Sequence, residues 1–486
     1  MTKAKEERRL ILGLFWNCAD TKLLLTSLFL LCSLLTLSQL LPSLSGIITL
    51  SSFSPCLTSS LLSPSNLSTI KSSTHPRALP DETLPDGVIR RSFTAIGSAA
   101  YLFVQMGAYR GSLDSFAIVG LASKPLHVFG KPHFRCEWHP SSPSSAPIPS
   151  SQSYQMLPDW GFGRIYTVVV VNCTFSSPIN ADGSGGRLLL FASRSAAGPE
   201  DPILALEESP GQFNSTTLAA PPKYDYLYCG SSLYGNLSPQ RIREWIAYHA
   251  RLFGSRGHIV LHDAGGVHAG VMDVLWPWIE KGLVTVQDIR GQEDFDGYYH
   301  NQFLVVNDCL HRYRLTAKWI FFFDVDEFIY LEPQTTLDSF LESMKDYSQF
   351  TIEQVPMSNM LCSSSDAGRT ARLWGIEKLI YRDVKRGIRR NRKYALQPRR
   401  AFSAGVHMSQ NVDGRTFHSQ SRRITYFHYH DTVAERREPC RNFVNATQIV
   451  VDGMPFVVDE TLRRLAGQIR RFELQAIGPR LGRTRQ

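Results

Sequence analysis

Residues 319–331 read W-I-F-F-F-D-V-D-E-F-I-Y-L. Bulky apolar residues run into two aspartates one residue apart, then a glutamate and a second apolar run. A continuous aromatic and β-branched stretch suits a strand buried on both faces. Such a strand needs a layer on each side, which restricts the chain to architectures with a covered sheet. The spacing predicts that Asp324 and Asp326 project to the same side at the strand's rim, since residues i and i+2 share a face. Two carboxylates there suit a hard divalent cation that also takes phosphate oxygens. The plainer alternative is a pair of solvated turn aspartates.

The segment around this strand alternates strand and helix. Strands are expected at 224–229, 259–261, 284–287 and 319–323. Helices are expected at 239–253, with Ser238 as N-cap before a first-turn proline, at 269–281 and at 298–315. This order implies parallel strands joined by helical crossovers, with ligands at the carboxyl ends of the strands. Cys229, Ser231, Asp263, Asp288, Asp324 and Asp326 all fall at such ends. Residues 88–220 differ. Short strand candidates at 101–104, 115–121, 125–129, 166–173 and 187–193 are separated by Gly, Pro and Ser clusters. They predict a smaller all-β module, in which Tyr101, Trp138 and Trp160 suit either core packing or stacking on sugar faces.

The N-terminus sets the compartment. Residues 23–41 form an uncharged Leu-rich run, and the stretch stays apolar to residue 50. That is long enough to cross a bilayer. Lys3, Lys5, Arg8, Arg9 and Lys22 precede it, and the next basic residue is Lys71. The expectation is a cytosolic tail at 1–22, a signal anchor at 23–50, a Ser/Leu/Thr/Pro stem at 51–87 and a luminal remainder. A cleaved signal peptide is the alternative. Sequons at Asn66, Asn172, Asn214, Asn236 and Asn445 accord with a luminal body. Seven cysteines, Cys56, Cys136, Cys173, Cys229, Cys309, Cys362 and Cys440, fall on that side without a C-x-x-C pairing. Disulfides are expected there, with one thiol left over or linked between chains in a homodimer. The net charge of +9 favours anionic ligands. No zinc-finger, basic-zipper or RNA-binding signature is present, so nucleic acid is not an expected partner.

Several separated motifs occur in a set order: Y-D-Y-L-Y-C-G-S-S-L-Y-G-N from Tyr224, the segment from His300 to Cys309, W-I-F-F-F-D-V-D-E-F-I-Y, R-K-Y-A-L-Q-P-R-R-A-F-S-A-G-V-H-M and Y-F-H-Y-H. Together they resemble glycosyltransferase family 92, and within it the plant galactan synthase group. The resemblance runs from about Tyr224 to the C-terminus. It implies a GT-A-type, Rossmann-like catalytic domain over 221–486, preceded by a carbohydrate-binding-like all-β module and an N-terminal transmembrane helix. It also implies inverting transfer of galactose from UDP-galactose to β-1,4-galactan side chains of pectic rhamnogalacturonan I, by a type II protein of the Golgi membrane. UDP-arabinopyranose is an alternative donor, because it lacks only the C6 hydroxymethyl group. A membrane-anchored carbohydrate-binding protein is the non-enzymatic alternative.

In that frame Asp324 and Asp326 would hold Mn²⁺, with His407 or His428 completing the set. Cys229, Ser231, Asp263, Asp288, Gln302, Asp324 and Lys393 would meet the nucleotide sugar. Lys393 lies in a stretch, 382–400, with nine basic residues and one acid. Inversion needs a general base, for which Glu377 is the first choice and Asp366 the second.

Overall fold

The structure, a computed structural model, describes residues 77–96, 101–123, 132–160, 165–295, 297, 299–385, 391–419, 423–433, 438–482 and 484. The expected membrane run, the stem as far as residue 76, the strand expected at 125–129 and the basic residues Arg386, Arg389 and Arg390 lie outside them. No helix among the described residues is long and apolar enough to cross a membrane.

The largest sheet has a parallel centre. Its strands stand in the order Ile89–Arg90, Val284–Asp288, Gly257–Asp263, Tyr224–Leu233, Ala317–Phe322, and the pairings between these neighbours are all parallel. Beyond Ala317–Phe322 the sheet becomes mixed: Arg392–Leu396, Gln349–Pro356, Ile424–His428 and Glu327–Leu331 follow in turn. Strand periodicity explains how both faces are covered. Tyr226, Tyr228, Ile259, Leu261 and Phe321 point to one face, where they meet Trp245 and Ile246 of helix Pro239–Phe253 and Val271 and Trp278 of helix Ala269–Glu280. The alternate residues Leu227, Cys229, Val260, Ile320 and Phe322 point to the other face and meet Phe303, Val305 and Val306 of helix Gln302–Arg312. Ser238 caps its helix as expected, accepting from the Arg241 N–H at 3.3 Å.

Residues 94–208 form two antiparallel sheets. One has the order Thr94–Ile96, Phe103–Arg110, Ser115–Ser123, Tyr166–Thr174, Gln152–Met156, and the other Glu200–Glu208, Gly186–Ser193, His133–Pro140, Ile148–Pro149. Phe116, Ile118, Val169 and Val171 from the first sheet share a core with Trp138, Leu188 and Leu190 from the second. The intervening Ala117, Val119, Val168 and Val170 face the opposite way, into the core that contains helix Gln302–Arg312. The β-rich region is therefore apolar on both sides of its five-stranded sheet, and one continuous core joins it to the large sheet. Ile89–Arg90 also pairs with Val284–Asp288, so part of the segment expected in the β-rich module belongs to the large sheet.

Three disulfides hold these layers: Cys136–Cys173 between the two small sheets, Cys229–Cys309 between the central parallel strand and its helix, and Cys362–Cys440. They take up six of the seven cysteines expected to be luminal; Cys56 lies outside the described residues. The Cys229–Cys309 bridge corrects one expectation. Cys229 is fully buried and its sulfur is engaged, so its side chain does not reach a ligand. In the chain-entropy model, closing a loop of this length constrains the unfolded chain by about 4 to 5 kcal/mol.

Between the β-rich region and the large sheet lies a fully buried ion pair. Arg91 sits on the connection from Ile89–Arg90 to Thr94–Ile96 and meets Asp308 of helix Gln302–Arg312 with both guanidinium nitrogens, its Nη2 donating to Oδ1 at 2.8 Å. Arg91 also donates to Gln287 (2.7 Å), Asp81 (2.9 Å), the Met106 carbonyl (3.2 Å) and the Tyr109 hydroxyl (3.2 Å). Tyr109, from the β-rich region, donates to the same carboxylate. Burial opposes ionisation of Asp308, but Arg91 and Arg312 outweigh it and hold the pKa well below the usual carboxylate range.

Candidate functional site

The chain order of the parallel strands creates the cleft. From Tyr224–Leu233 it steps outward to Gly257–Asp263 and Val284–Asp288, then returns to place Ala317–Phe322 on the other side of Tyr224–Leu233. The sheet order reverses between those two strands, and crevices open at the carboxyl edge of such switch points. A cavity of about 280 Å³ lies there. Ser231, Gln302, Asp324, Asp326, Lys393, His407 and His428 all line it, as do Glu327, Tyr234, Tyr299 and Asp431.

The two aspartates separate. The strand ends at Phe322, and the chain turns at Val325–Asp326 before the antiparallel strand Glu327–Leu331 begins. Period-2 geometry does not extend through a turn; both aspartates line the cavity, but only Asp326 belongs to the close group of possible ligand atoms. Asp324 accepts from Ser231 Oγ at 2.9 Å and from Lys393 Nζ at 2.6 Å. Burial opposes its ionisation, but the lysine and serine hold its pKa below the usual value. Lys393 is buried, and Asp324 and Glu327 keep its ammonium charged.

Asp326 turns instead toward Glu327 and His428. Each offers one ligand atom, and these atoms lie within 4.8 Å of one another. Glu327 and His428 are brought together by cross-strand register, since they are direct antiparallel partners. The turn is braced from several sides. The Glu327 carboxylate accepts from the Asp324 N–H at 2.7 Å, Trp245 Nε1 donates to the Glu327 carbonyl at 2.8 Å, and the Tyr429 N–H donates to the Asp326 carbonyl at 3.0 Å. His428 Nε2 lies 3.5 Å from Asp326 Oδ2, and the Gln354 amide hydrogen-bonds Nδ1 at 2.5 Å. Burial disfavours the imidazolium, yet Asp326 and Glu327 raise the His428 pKa to about 9. Burial, with Asp324 and Asp326 nearby, raises the Glu327 pKa. A cluster that draws positive charge so strongly fits a divalent cation.

His407 lines the same cavity but is not in this group. Its Nδ1 hydrogen-bonds the Arg392 carbonyl at 3.0 Å. That bond places the Nδ1 proton and leaves Nε2 as the acceptor. Opposite, Tyr299, His300 and Asn301 occupy three successive left-handed positions, with φ of 48°, 51° and 54°. Such conformations cost about 1 to 3 kcal/mol each for non-glycine residues. Asn301 offsets this by donating to Gln292 Oε1 (2.7 Å) and the Phe295 carbonyl (3.2 Å), and Ser232 Oγ donates to the His300 carbonyl at 2.6 Å. The stretch places Tyr299 beside Tyr234 at the cavity rim.

Four further expected residues do not line the cavity. Asp263 accepts from the N–H groups of Gly265 and Val267, both at 2.9 Å, and so closes its own loop. Asp288 is taken by Arg290 at 2.6 Å. The two expected general bases are engaged elsewhere. Glu377 accepts from the Trp374 N–H at 2.7 Å, capping helix Gly375–Lys378, and pairs with Arg470. Asp366 is fully buried and held by Arg463 at 2.7 Å and Arg369 at 2.8 Å. Glu327, Tyr234, Tyr299 and Asp431 escaped the sequence reading. Only Glu327 had a local signal, its place directly after Asp326.

Residues 224–465 match the family described as Glycosyltransferase family 92. The chain is 53% identical over its whole length to the whole of Galactan beta-1,4-galactosyltransferase GALS3 of Arabidopsis thaliana. It is 56% identical to GALS2 of the same name and organism, over 82% of this chain and 78% of that protein. For GALS1 the identity is 49%, over 82% and 80%. With full-length identity of this order, and with the matched region spanning every strand of the cleft, the chain belongs to glycosyltransferase family 92.

Proposed function

We propose that this protein is a galactan β-1,4-galactosyltransferase, moving galactose with inversion from UDP-galactose to the end of a β-1,4-galactan chain. The observation that carries this reading is the 53% identity, end to end, with a protein of that activity. The site supports it: a GT-A-type sheet places an Asp326–Glu327–His428 cluster at its switch point, beside Asp324, Lys393 and Ser231. A Mn²⁺ held by that cluster would neutralise charge on the diphosphate leaving group. Lys393, fixed by Asp324, adds a cation at the same wall. Tyr299 and Tyr234 supply apolar faces at the rim. Of the cleft carboxylates, Asp431 is the exposed one, at the mouth beside His430. It is our choice for the base that takes the acceptor hydroxyl proton.

Incubation with a panel of UDP-sugars, Mn²⁺ and β-1,4-galacto-oligosaccharide should give chain extension with UDP-galactose as the preferred donor. Faster transfer from UDP-arabinopyranose would reassign the donor, and no transfer from any UDP-sugar would contradict the reading. In the same assay Asp431→Asn should lower kcat by about a hundredfold, with KM for UDP-galactose little changed. An unaltered kcat would remove Asp431 from the proton transfer.

We also read residues 23–50 as a signal anchor of a type II Golgi protein. The intact protein should then resist carbonate extraction and carry glycans beyond Asn66. Recovery of a soluble chain cleaved near Gly46 would contradict the anchor.

A further inference from the structure

The central strand Tyr224–Leu233 is irregular near its end. Cys229 pairs with Val260 and Ser232 with His262, so three steps along this strand answer two along its neighbour. Gly230 and Ser231 therefore stand opposite Leu261 alone, a β-bulge with one extra residue. An extra residue reverses the alternation of side chains beyond it. The cores show the reversal. Before the bulge, Tyr226 and Tyr228 enter one core while Leu227 and Cys229 enter the other. After it, Leu233 joins Tyr226 and Tyr228. The bulge leaves Ser231 at the cavity wall, where its Oγ donates to Asp324 at 2.9 Å.

Both ends of that hydrogen bond are held from behind. On the Asp324 side, the Tyr228 hydroxyl donates to the Phe323 carbonyl at 2.9 Å. A Cβ on Gly230 would lie 2.4 Å from that hydroxyl oxygen, so the bulge is built around glycine. On the Ser231 side the hold is His262, whose Nδ1 lies 2.8 Å from the Gly230 carbonyl. A carbonyl only accepts, so Nδ1 carries the proton. Burial lowers the His262 pKa to about 4, which keeps the ring neutral with that one N–H.

Packing alone does not favour an imidazole here. His262 is fully buried, and its Nε2 makes no hydrogen bond among the described residues. The three residues before it, Ile259, Val260 and Leu261, are aliphatic, and a fourth would avoid burying an unmatched ring nitrogen. What the imidazole adds is the bond to Gly230, whose carbonyl stands where the ladder is interrupted. His262 itself does not line the cavity.

We infer that His262 is a positioning residue for the nucleotide-sugar wall: through Gly230 it fixes the bulge that aims Ser231 at Asp324, and so sets the carboxylate that holds Lys393. This rests on the galactosyltransferase reading above. Lys393 Nζ donates to the second Asp324 oxygen at 2.6 Å, so a line of contacts runs from the buried strand to a cation in the cavity.

The test measures galactose transfer by the full chain for wild type, His262→Leu, His262→Asn, Ser231→Ala and the double variant His262→Leu/Ser231→Ala, at a temperature below every melting transition. His262→Leu keeps apolar bulk and removes the donor. Its kcat/KM for UDP-galactose should fall on the order of tenfold, the effect of one hydrogen bond. KM for the galacto-oligosaccharide should stay near wild type. The amide N–H of His262→Asn takes the place of Nδ1–H, so this smaller side chain should keep most of the activity, which a role in packing would not give. In a Ser231→Ala background, His262→Leu should change kcat/KM by less than about twofold, because the route through Ser231 is already cut. Losses that multiply in the double variant, or a folded His262→Leu chain with wild-type kcat/KM, would overturn the inference alone. His262→Ala stands in if the leucine variant does not fold. Failure of both to fold would make His262 a folding residue and would also overturn the inference. A wild type that transfers no galactose would overturn the galactosyltransferase reading and the inference with it.

Discussion

Replacing Asp326 by alanine should lower galactose transfer by two to three orders of magnitude, the range expected when a principal charge-stabilising element is removed. The substitution removes one member of the Asp326–Glu327–His428 group, whose ligand atoms lie within 4.8 Å of one another. The fold should survive, because the contacts that brace this turn run through backbone atoms and through Glu327: the Asp326 carbonyl accepts from Tyr429, and the Glu327 carbonyl from Trp245. Mn²⁺ binding, followed directly by titration, should weaken together with activity. His428→Ala should weaken it as well, and His407→Ala should do so less, since His407 lies outside the group. Normal transfer by Asp326→Ala would show that the cluster has no part in the reaction. A variant that lost activity but bound Mn²⁺ as tightly as wild type would move the metal elsewhere.

The second large effect is on stability. Arg91→Ala should destabilise the protein by about 3 to 5 kcal/mol, the cost of leaving one charge of a buried pair uncompensated. Neither side chain of the Arg91–Asp308 pair is exposed, and Asp308 also accepts from Tyr109. Urea unfolding measures the change, and a loss below about 1 kcal/mol would contradict the assignment. Replacing both partners by apolar residues of similar size should cost less than either single change. The pH dependence follows from the sign of the shift. The folded pKa of Asp308 is depressed, so its contribution is fully present above the unfolded carboxylate value of about 3.9. It is lost as pH falls below that value toward the folded pKa. Arg91→Ala should therefore flatten the acid limb of the stability curve.

What could be read from the sequence was local. The parallel strands and their helices carried clear periodicity, and helix 239–253 was predicted with the limits the structure has. Helix 298–315 was predicted too long. Tyr299, His300 and Asn301 fit the helix pattern in sequence but are left-handed in the structure, so the helix begins only at Gln302. The site was legible at the carboxyl end of a strand, as with Ser231 near the end of Tyr224–Leu233 and Asp324 just beyond Ala317–Phe322. It was illegible where partners meet by pairing. Glu327 and His428 are about a hundred residues apart, and only the antiparallel register of two late strands joins them. The period-2 argument did not anticipate the turn between the two aspartates, which leaves Asp324 outside the Asp326–Glu327–His428 group. Glu377 and Asp366 were credible bases by type and position, yet arginines that approach from the C-terminal segment occupy both. Long-range ion pairing leaves no local trace in a sequence.

The central claim is that this cleft transfers galactose through a divalent cation held by Asp326, Glu327 and His428. Its most direct test is one sample of wild-type protein, assayed for extension of β-1,4-galacto-oligosaccharide by UDP-galactose before chelation, after EDTA, and after Mn²⁺ is returned. The expected result is activity, its loss, and its recovery. Undiminished transfer in EDTA would contradict the account.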